Sequence, residues 1–309
     1  MTEPGRGRRV THWLNERAPH PLIDTLRSTT RWFGMLTSRW RMTPGFIVVG
    51  AQRAGTTTLY RVLSEHPSVV RPTVSKGIGY FDVHYSRGMR WYRGHFPLVW
   101  WARRKAGPHA VAFESSGYYL FHPLAAQRIA ADLPGVRLVV MVRDPVERAY
   151  SAHKHELARG FETEPFDKAL DLEESRLAGE EERMVSDPSY RSFEHRHHAY
   201  LARGRYSEQI TRLQAAVGEH RVFIVDADRF FADPQAEFER LRTWLGLPEW
   251  RPEHVEQTNA RPGVPLSPEL RGRLCRHFEP YDEALARQMG RLPSWRDASS
   301  SLEDSALEG

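Results

Sequence analysis

The chain has 309 residues, with 44 Lys and Arg against 39 Asp and Glu and a formal net charge of +5, a length that supports one large or two modest domains around a buried core. The arginine-driven surplus suits an anionic ligand or surface; it is too mild to imply nucleic acid, and no DNA- or RNA-binding module pattern is present. The single cysteine, Cys275, excludes an internal disulfide and suits a reducing compartment; with no apolar run of roughly 18 residues and no secretory leader, the expectation is a soluble, cytoplasmic protein.

Residues 1–43 read as a basic amphipathic arm. Leu22, Leu26, Phe33, Leu36 and Trp40 recur at near-helical spacing beside Arg27, Arg31, Arg39 and Arg41. The favoured expectation is that these apolar residues pack on the domain that follows; the alternative is peripheral membrane contact through residues 20–42. The next run, FIVVGAQRAGTTTLY at 46–60, is an apolar strand that enters a glycine-bounded loop and then a hydroxyl-rich helix start. This is a phosphate cradle: Gly50 and Gly55 relieve the turn, and the amides of residues 52–57 converge on an anion at the positive end of a helix. That helix is predicted to end near His66 and Pro67.

Downstream the pattern predicts a strand at 111–113 leading into Glu114, a helix over 123–132, a strand at 137–142 and a helix over 145–159. Asp144, Pro145 and Glu147 give the last of these its N-cap, N1 proline and N3 glutamate. A fourth strand at 222–225 and a helix over 234–245 closed by Gly246 follow. The alternation predicts an α/β, P-loop-like three-layer fold: a central, mostly parallel sheet flanked by helices. The domain is expected over 44–295, with a frayed acidic tail at 296–309.

The glycine loop departs from the nucleotide triphosphatase pattern, because Thr56 replaces the lysine after Gly55 and the only loop cation is Arg53. A second anion-binding segment is VRDPVERAYSAHKHE at 142–156, where Arg143 leaves a strand end and Ser151 sits two turns into the next helix. Ligands of open parallel sheets collect at the carboxyl ends of strands, so the two segments suit a ligand with two separated phosphates. The rival is a kinase or triphosphatase with Asp226 as a magnesium carboxylate. Glu194, His195, His197 and His198 cluster without a distant residue to complete a zinc site, and no metal is expected. Trp91, Tyr92, Phe96, Trp100 and Trp101 are expected as core or as the floor of an acceptor cleft. His153 and His155 are expected to project from a helix flank, and the charged segment 161–189 to form a lid or a solvated helical excursion.

GAQRAGTTTLY resembles the 5'-phosphosulfate loop, and VRDPVERAYSAHKHE the 3'-phosphate motif, of sulfotransferases that use 3'-phosphoadenosine 5'-phosphosulfate (PAPS). KGIGYFDVHYSRGMRWYRGHFP at 76–97, ESSGYY at 114–119, YLARGRYSEQI at 200–210 and NARPGVPLSPELRGRL at 259–274 are similar to the heparan sulfate type and its bacterial relatives. The resemblance implies a 5' site made by Arg53, Ala54, Gly55, Thr56, Thr57 and Thr58, with Arg53 in the place of the usual lysine. It implies a 3'-phosphate site at Arg143 and Ser151, completed on the adenosine side by Arg205, Tyr206, Arg261 and Gly263. The reaction would be an in-line displacement at sulfur that releases 3',5'-adenosine bisphosphate (PAP), with fixed cations stabilising the leaving phosphate.

The departures fall on the acceptor side. Lys76 and Asp82 keep the family's pattern, whereas the glutamate that serves as base is Gly77, the histidine two residues on is Gly79, and the lysine after Glu114 is Ser115. A base must reach the acceptor's proton, and His84, then Glu114, are the candidates. The catalytic set is thus Arg53, Lys76, Asp82, His84 and Glu114. The acceptor is expected to be a hydroxyl or amine of a carbohydrate or small molecule other than a heparan chain. An inert relative that keeps only the nucleotide pocket is the remaining alternative.

Overall fold

The computed structural model describes residues 32–253, 255 and 265–297; most of the expected arm, the last twelve residues, and Arg261 and Gly263 lie outside the described residues. Five parallel strands, β1 (Pro44–Gly50), β2 (Val69–Val70), β3 (Val111–Ser115), β4 (Arg137–Val142) and β5 (Val222–Asp226), form one sheet in the order β2-β3-β1-β4-β5. Ile47, Val48 and every residue from Leu138 to Val142 have 0% exposure, which a strand reaches only when both faces of its sheet are covered. The chain lays β2 and β3 on one side of β1 and β4 and β5 on the other. The strand order therefore reverses at β1, and the loops leaving β1, β3 and β4 meet at one crevice at the carboxyl edge.

The helices are α1 (Thr56–Glu65), α2 (Gly88–Arg93), α3 (Val99–Ala106), α4 (Ala125–Asp132), α5 (Pro145–Ala158), α6 (Phe166–Leu177), α7 (Glu180–Ser186), α8 (Phe193–His197), α9 (Tyr206–Val217), α10 (Ala227–Ala232), α11 (Pro234–Leu245) and α12 (Pro268–Met289). α5 starts as its sequence dictates: an Asp144 carboxylate oxygen accepts from the Val146 amide at 2.9 Å, with Pro145 in the first turn. Glu147 does not close a capping box; it pairs with Arg271 of α12.

Several expectations change. Segment 161–189 is the helical excursion that was one of its two expectations, mostly exposed, but it also serves as a buttress. Its α6 buries Phe166, Ala169 and Leu170 against Val146 and Ala149 of α5. The buried Glu173 carboxylate accepts the amides of Tyr200, Leu201 and Ala202, fixing the turn before Arg203. His153 is buried and its Nε2 donates to the Glu164 carbonyl at 2.8 Å, so it does not project from the helix flank. Asp226 is fully buried and caps α10 through the amides of Asp228 and Arg229, while also accepting the Ser294 amide and hydroxyl. These bonds occupy the carboxylate and remove the magnesium role given to it in the kinase reading. The C-terminal segment stays attached beyond residue 295, since Arg296 Nε donates to Asp282 at 2.7 Å.

His195 pairs with the Tyr118 hydroxyl, and His198 with Glu194 and the Phe161 carbonyl, so both belong to the local hydrogen-bond framework. Trp91, Tyr92 and Phe96 are core, but Trp100 and Trp101 stand exposed. Trp32, Phe33, Leu36 and Trp40 are exposed too, against the expectation that they pack on the domain. The packing contacts of that stretch come from Gly34, Ser38 and Arg41 instead.

Candidate active site

The turn between β1 and α1 needs two residues in the left-handed region. Gly55, at φ +92, is one, and a β-carbon there would come within 3.0 Å of the Phe231 ring. Arg53, at φ 73, is the other. A side chain held in that region is strained and clusters at functional turns. Its Nε donates to Ser151 Oγ at 3.1 Å, so the two anion-binding motifs meet at this bond. Gly55 is the N-cap of α1, which leaves the first amides of the helix without intrahelical acceptors and facing an anion site.

Lys76 supplies the ammonium that the loop lacks. Its Nζ lies 3.2 Å from both Thr56 Oγ1 and Thr57 Oγ1. Burial lowers its pKa to about 8, so it is still mainly protonated at neutral pH and gains from an anion beside it. A cleft of about 460 Å³ opens here, and Arg53, Thr56, Thr57, Lys76, Asp82 and His84 stand on its wall. Arg159, Arg196 and Arg203 add charge to the same lining, and Asp82 is its sole carboxylate among the described residues. Such a field draws an anion of several charges.

Gln52, His155, Arg159 and Arg203 also line this cleft; Arg159 and Arg203 were not singled out from the sequence, and His155 was expected only to project from a helix flank. His155 and Arg159 follow Ser151 at i+4 and i+8, a spacing that puts all three on one face of α5 and was legible. Arg203 carried no such signal. It is 5% exposed, donates to the Gln52 side chain and to the His195 and Arg196 carbonyls, and burial lowers its pKa to about 10. Ala54 and Thr58 are buried within the loop and first turn. On the 3' side, the Tyr206 hydroxyl donates to the Arg143 carbonyl at 3.0 Å, tying the start of α9 to the end of β4. The Arg205 guanidinium lies over the Tyr281 ring at 5.2 Å.

Glu114 is not placed to act as a base. It is 0% exposed and accepts from the Ile78 amide, the Ser116 hydroxyl and the hydroxyls of Tyr92 and Tyr119. Burial raises its pKa, but the carboxylate holds the segment after Lys76 against β3 and stays off the cleft wall. His84 does reach the cleft, with its ring edge-on to Trp91 at 5.2 Å. Burial and then Arg87, Arg191 and Arg196 lower its pKa, so the imidazole is neutral at pH 7, and its Nδ1 has no hydrogen-bond partner among the described residues. Asp82 is 9% exposed, with a pKa raised by burial. A β-carbon on Gly79 would lie 3.1 Å from Asp82 Oδ1 and 3.7 Å from His84 Cδ2, so both side chains flank the place where the family's histidine would emerge.

Beyond Asp82 the cleft adjoins a side lobe of about 230 Å³ that shares Asp82, Val83, Tyr118 and Arg196 with it. Tyr85, Tyr190 and Met184 of α7 form its outer wall.

A family model of the sulfotransferase domain matches residues 43–261. The chain is 27% identical over 212 residues to bifunctional heparan sulfate N-deacetylase/N-sulfotransferase 1 of Caenorhabditis elegans, covering 67% of this chain and 22% of that protein. It is 28% identical over 209 residues to the type 2 enzyme of that name from Homo sapiens, covering 66% and 22%. The chain thus spans about a fifth of the length of these curated relatives. Among solved structures, a sulfotransferase from Alicyclobacillus acidocaldarius superposes with a TM-score of 0.60 at 28% identity, covering 82% of this chain and 99% of that one. With a matched region that takes in the glycine loop, Lys76, the cleft and the α5 motif, this chain belongs to the sulfotransferase domain family.

Proposed function

We propose that the cleft binds PAPS and that the chain transfers its sulfuryl group to a hydroxyl or amine of a carbohydrate or small-molecule acceptor. The observation that carries this reading is the convergence of Lys76 and Arg53 on the threonine-rich start of α1, with Arg53 bonded to Ser151 of the second motif. The Gly55–Thr58 turn would hold the 5'-phosphate, with Thr57 and Thr58 hydroxyls on its oxygens. Arg143 and Ser151 would take the 3'-phosphate with Arg205 and Tyr206, and the sequence likeness adds Arg261 and Gly263.

In the transfer, the acceptor oxygen or nitrogen attacks sulfur while the bond from sulfur to the 5'-phosphate oxygen breaks. The acceptor's proton passes to a base, and PAP leaves with the charge that Lys76 and Arg53 neutralise. His84 is the base in this account, because it is neutral, on the cleft wall and beside the position that Gly79 vacates. The site asks for no metal, since these cations do the neutralising. The side lobe, walled by Tyr85, Tyr118 and Tyr190, would seat a ring of the acceptor. The relatives are named for heparan sulfate; the change at Gly77 supports an acceptor of another kind. No helix among the described residues is long and apolar enough to cross a membrane, and we assign the cytoplasm on the unpaired Cys275.

Donor labelled at sulfur, offered with a panel of sugars, phenols, amines and lipids, tests this. Transfer to any of them supports the proposal. PAP binding without transfer would leave the inert relative, and absence of both would end either reading.

A further inference from the structure

One group of the large exposed apolar side chains lies on two neighbouring stretches of chain, while Val74, Leu157, Val185, Phe193 and Leu292 stand elsewhere. Trp32, Phe33, Leu36, Trp40, Trp100 and Trp101 are between 44% and 66% exposed. They come together because residues 34–42 run along residues 94–98. A β-carbon on Gly34 would lie 2.6 Å from the Gly94 carbonyl oxygen, the Met42 amide donates to the Pro97 carbonyl at 3.0 Å, and Arg41 bridges Leu98. α3 starts at the next residue, Val99, and carries Trp100 and Trp101 in its first turn. Soluble surfaces scatter such residues singly; a contiguous group marks something that covers it.

The charge around this face is one-sided. The Arg39 guanidinium lies over the Trp40 ring at 4.1 Å, and Lys105 Nζ over the Trp101 ring at 5.2 Å. Arg103 and Arg104 stand exposed beside them. Neither residues 25–64 nor residues 83–113 contain an acidic residue. Tryptophan with flanking arginine and lysine is the composition that settles at the headgroup level of a bilayer, the rings half in the acyl boundary and the cations on lipid phosphates.

We propose that this face docks the protein on an anionic lipid surface, with Trp40, Trp100 and Trp101 entering the interface and Arg39, Arg103, Arg104 and Lys105 pairing with lipid phosphates. The inference does not depend on the chemistry of the cleft.

Vesicle sedimentation of the full-length chain tests it. Binding to phosphatidylglycerol vesicles is expected, at least tenfold tighter than to phosphatidylcholine vesicles, weakened by added salt and accompanied by a blue shift of tryptophan emission. The double variant W100S/W101S should lose at least tenfold in binding while keeping its melting temperature, and R103Q/R104Q/K105Q should lose the preference for the anionic lipid. A chain that stays in the supernatant, equal binding to both vesicles, or W100S/W101S binding undiminished would overturn the proposal. So would a lipid-free chain whose tryptophans resist acrylamide quenching, or a dimer that W100S/W101S dissociates, because the face would then be covered by other residues of this chain or by a second copy.

Discussion

A β-carbon at Gly77 would lie 2.6 Å from the carbonyl oxygen of Ser115 and 2.9 Å from Ser116 Oγ. The Ser115 amide in turn donates to the Lys76 carbonyl at 3.0 Å. The family likeness puts a glutamate and a lysine at positions 77 and 115, and in this chain both are gone and the backbone closes between them. The two departures from that likeness on the acceptor side are therefore neighbours in space.

Restoring the side chain should accordingly fail. Gly77→Ala is expected to cost about 1–3 kcal/mol of stability, the usual range for overpacking against main chain, read as a lower melting temperature. Gly77→Glu should lower turnover too, and a gain would show that the position is still open to a base.

His84→Ala should reduce turnover by roughly 10²–10⁴-fold, the range of general-base catalysis, with PAP affinity within twofold of the parent. The lowered pKa of His84 places the acid limb of the rate profile below the ordinary imidazole value: activity falls only as the pH drops through that lowered pKa and the base takes up a proton. Undiminished turnover in His84→Ala would transfer the role to Asp82, to be checked with Asp82→Asn.

Lys76 sets a second pH dependence. With a pKa near 8 in the free protein, the ammonium is present below that value and lost above it. PAP affinity should fall as the pH rises through 8, and binding in that range should take up protons from the buffer. Lys76→Met should bind PAP weakly and show no such fall; an unchanged profile would contradict the assignment.

Glu114→Gln separates structure from chemistry. The amide has only one acceptor oxygen to offer to four donors, so a loss of about 1–3 kcal/mol is expected from donors left unsatisfied, measured by denaturant unfolding. The folded variant should keep the parent's pH profile for turnover. A shifted profile would restore Glu114 as a base.

What the sequence disclosed follows from the range of the interactions. β4 and the start of α5 were legible because an unbroken apolar run and an Asp-Pro cap are local signals, and the glycine loop because it is contiguous. β2 was missed, since its two residues, Val69 and Val70, are too few to set a period. The hydrogen bonds that hold Glu114 were not legible because its four donors come from three separate stretches of chain. Arg203 was missed because its place depends on Glu173, distant in sequence and fixing the preceding turn. Trp100 and Trp101 were expected as core or cleft floor and Trp40 as packing on the domain or contacting a membrane, since apolar spacing reports that a face exists and not what covers it.

On this reading Arg53, Lys76 and the start of α1 grip the donor nucleotide. The decisive experiment is a calorimetric titration of PAP into the protein in excess EDTA. Saturable binding that survives metal removal is expected, at least tenfold weaker in Arg53→Ala and Lys76→Met, with no ATP turnover. No binding heat at millimolar PAP, or equal affinity in both variants, would contradict it.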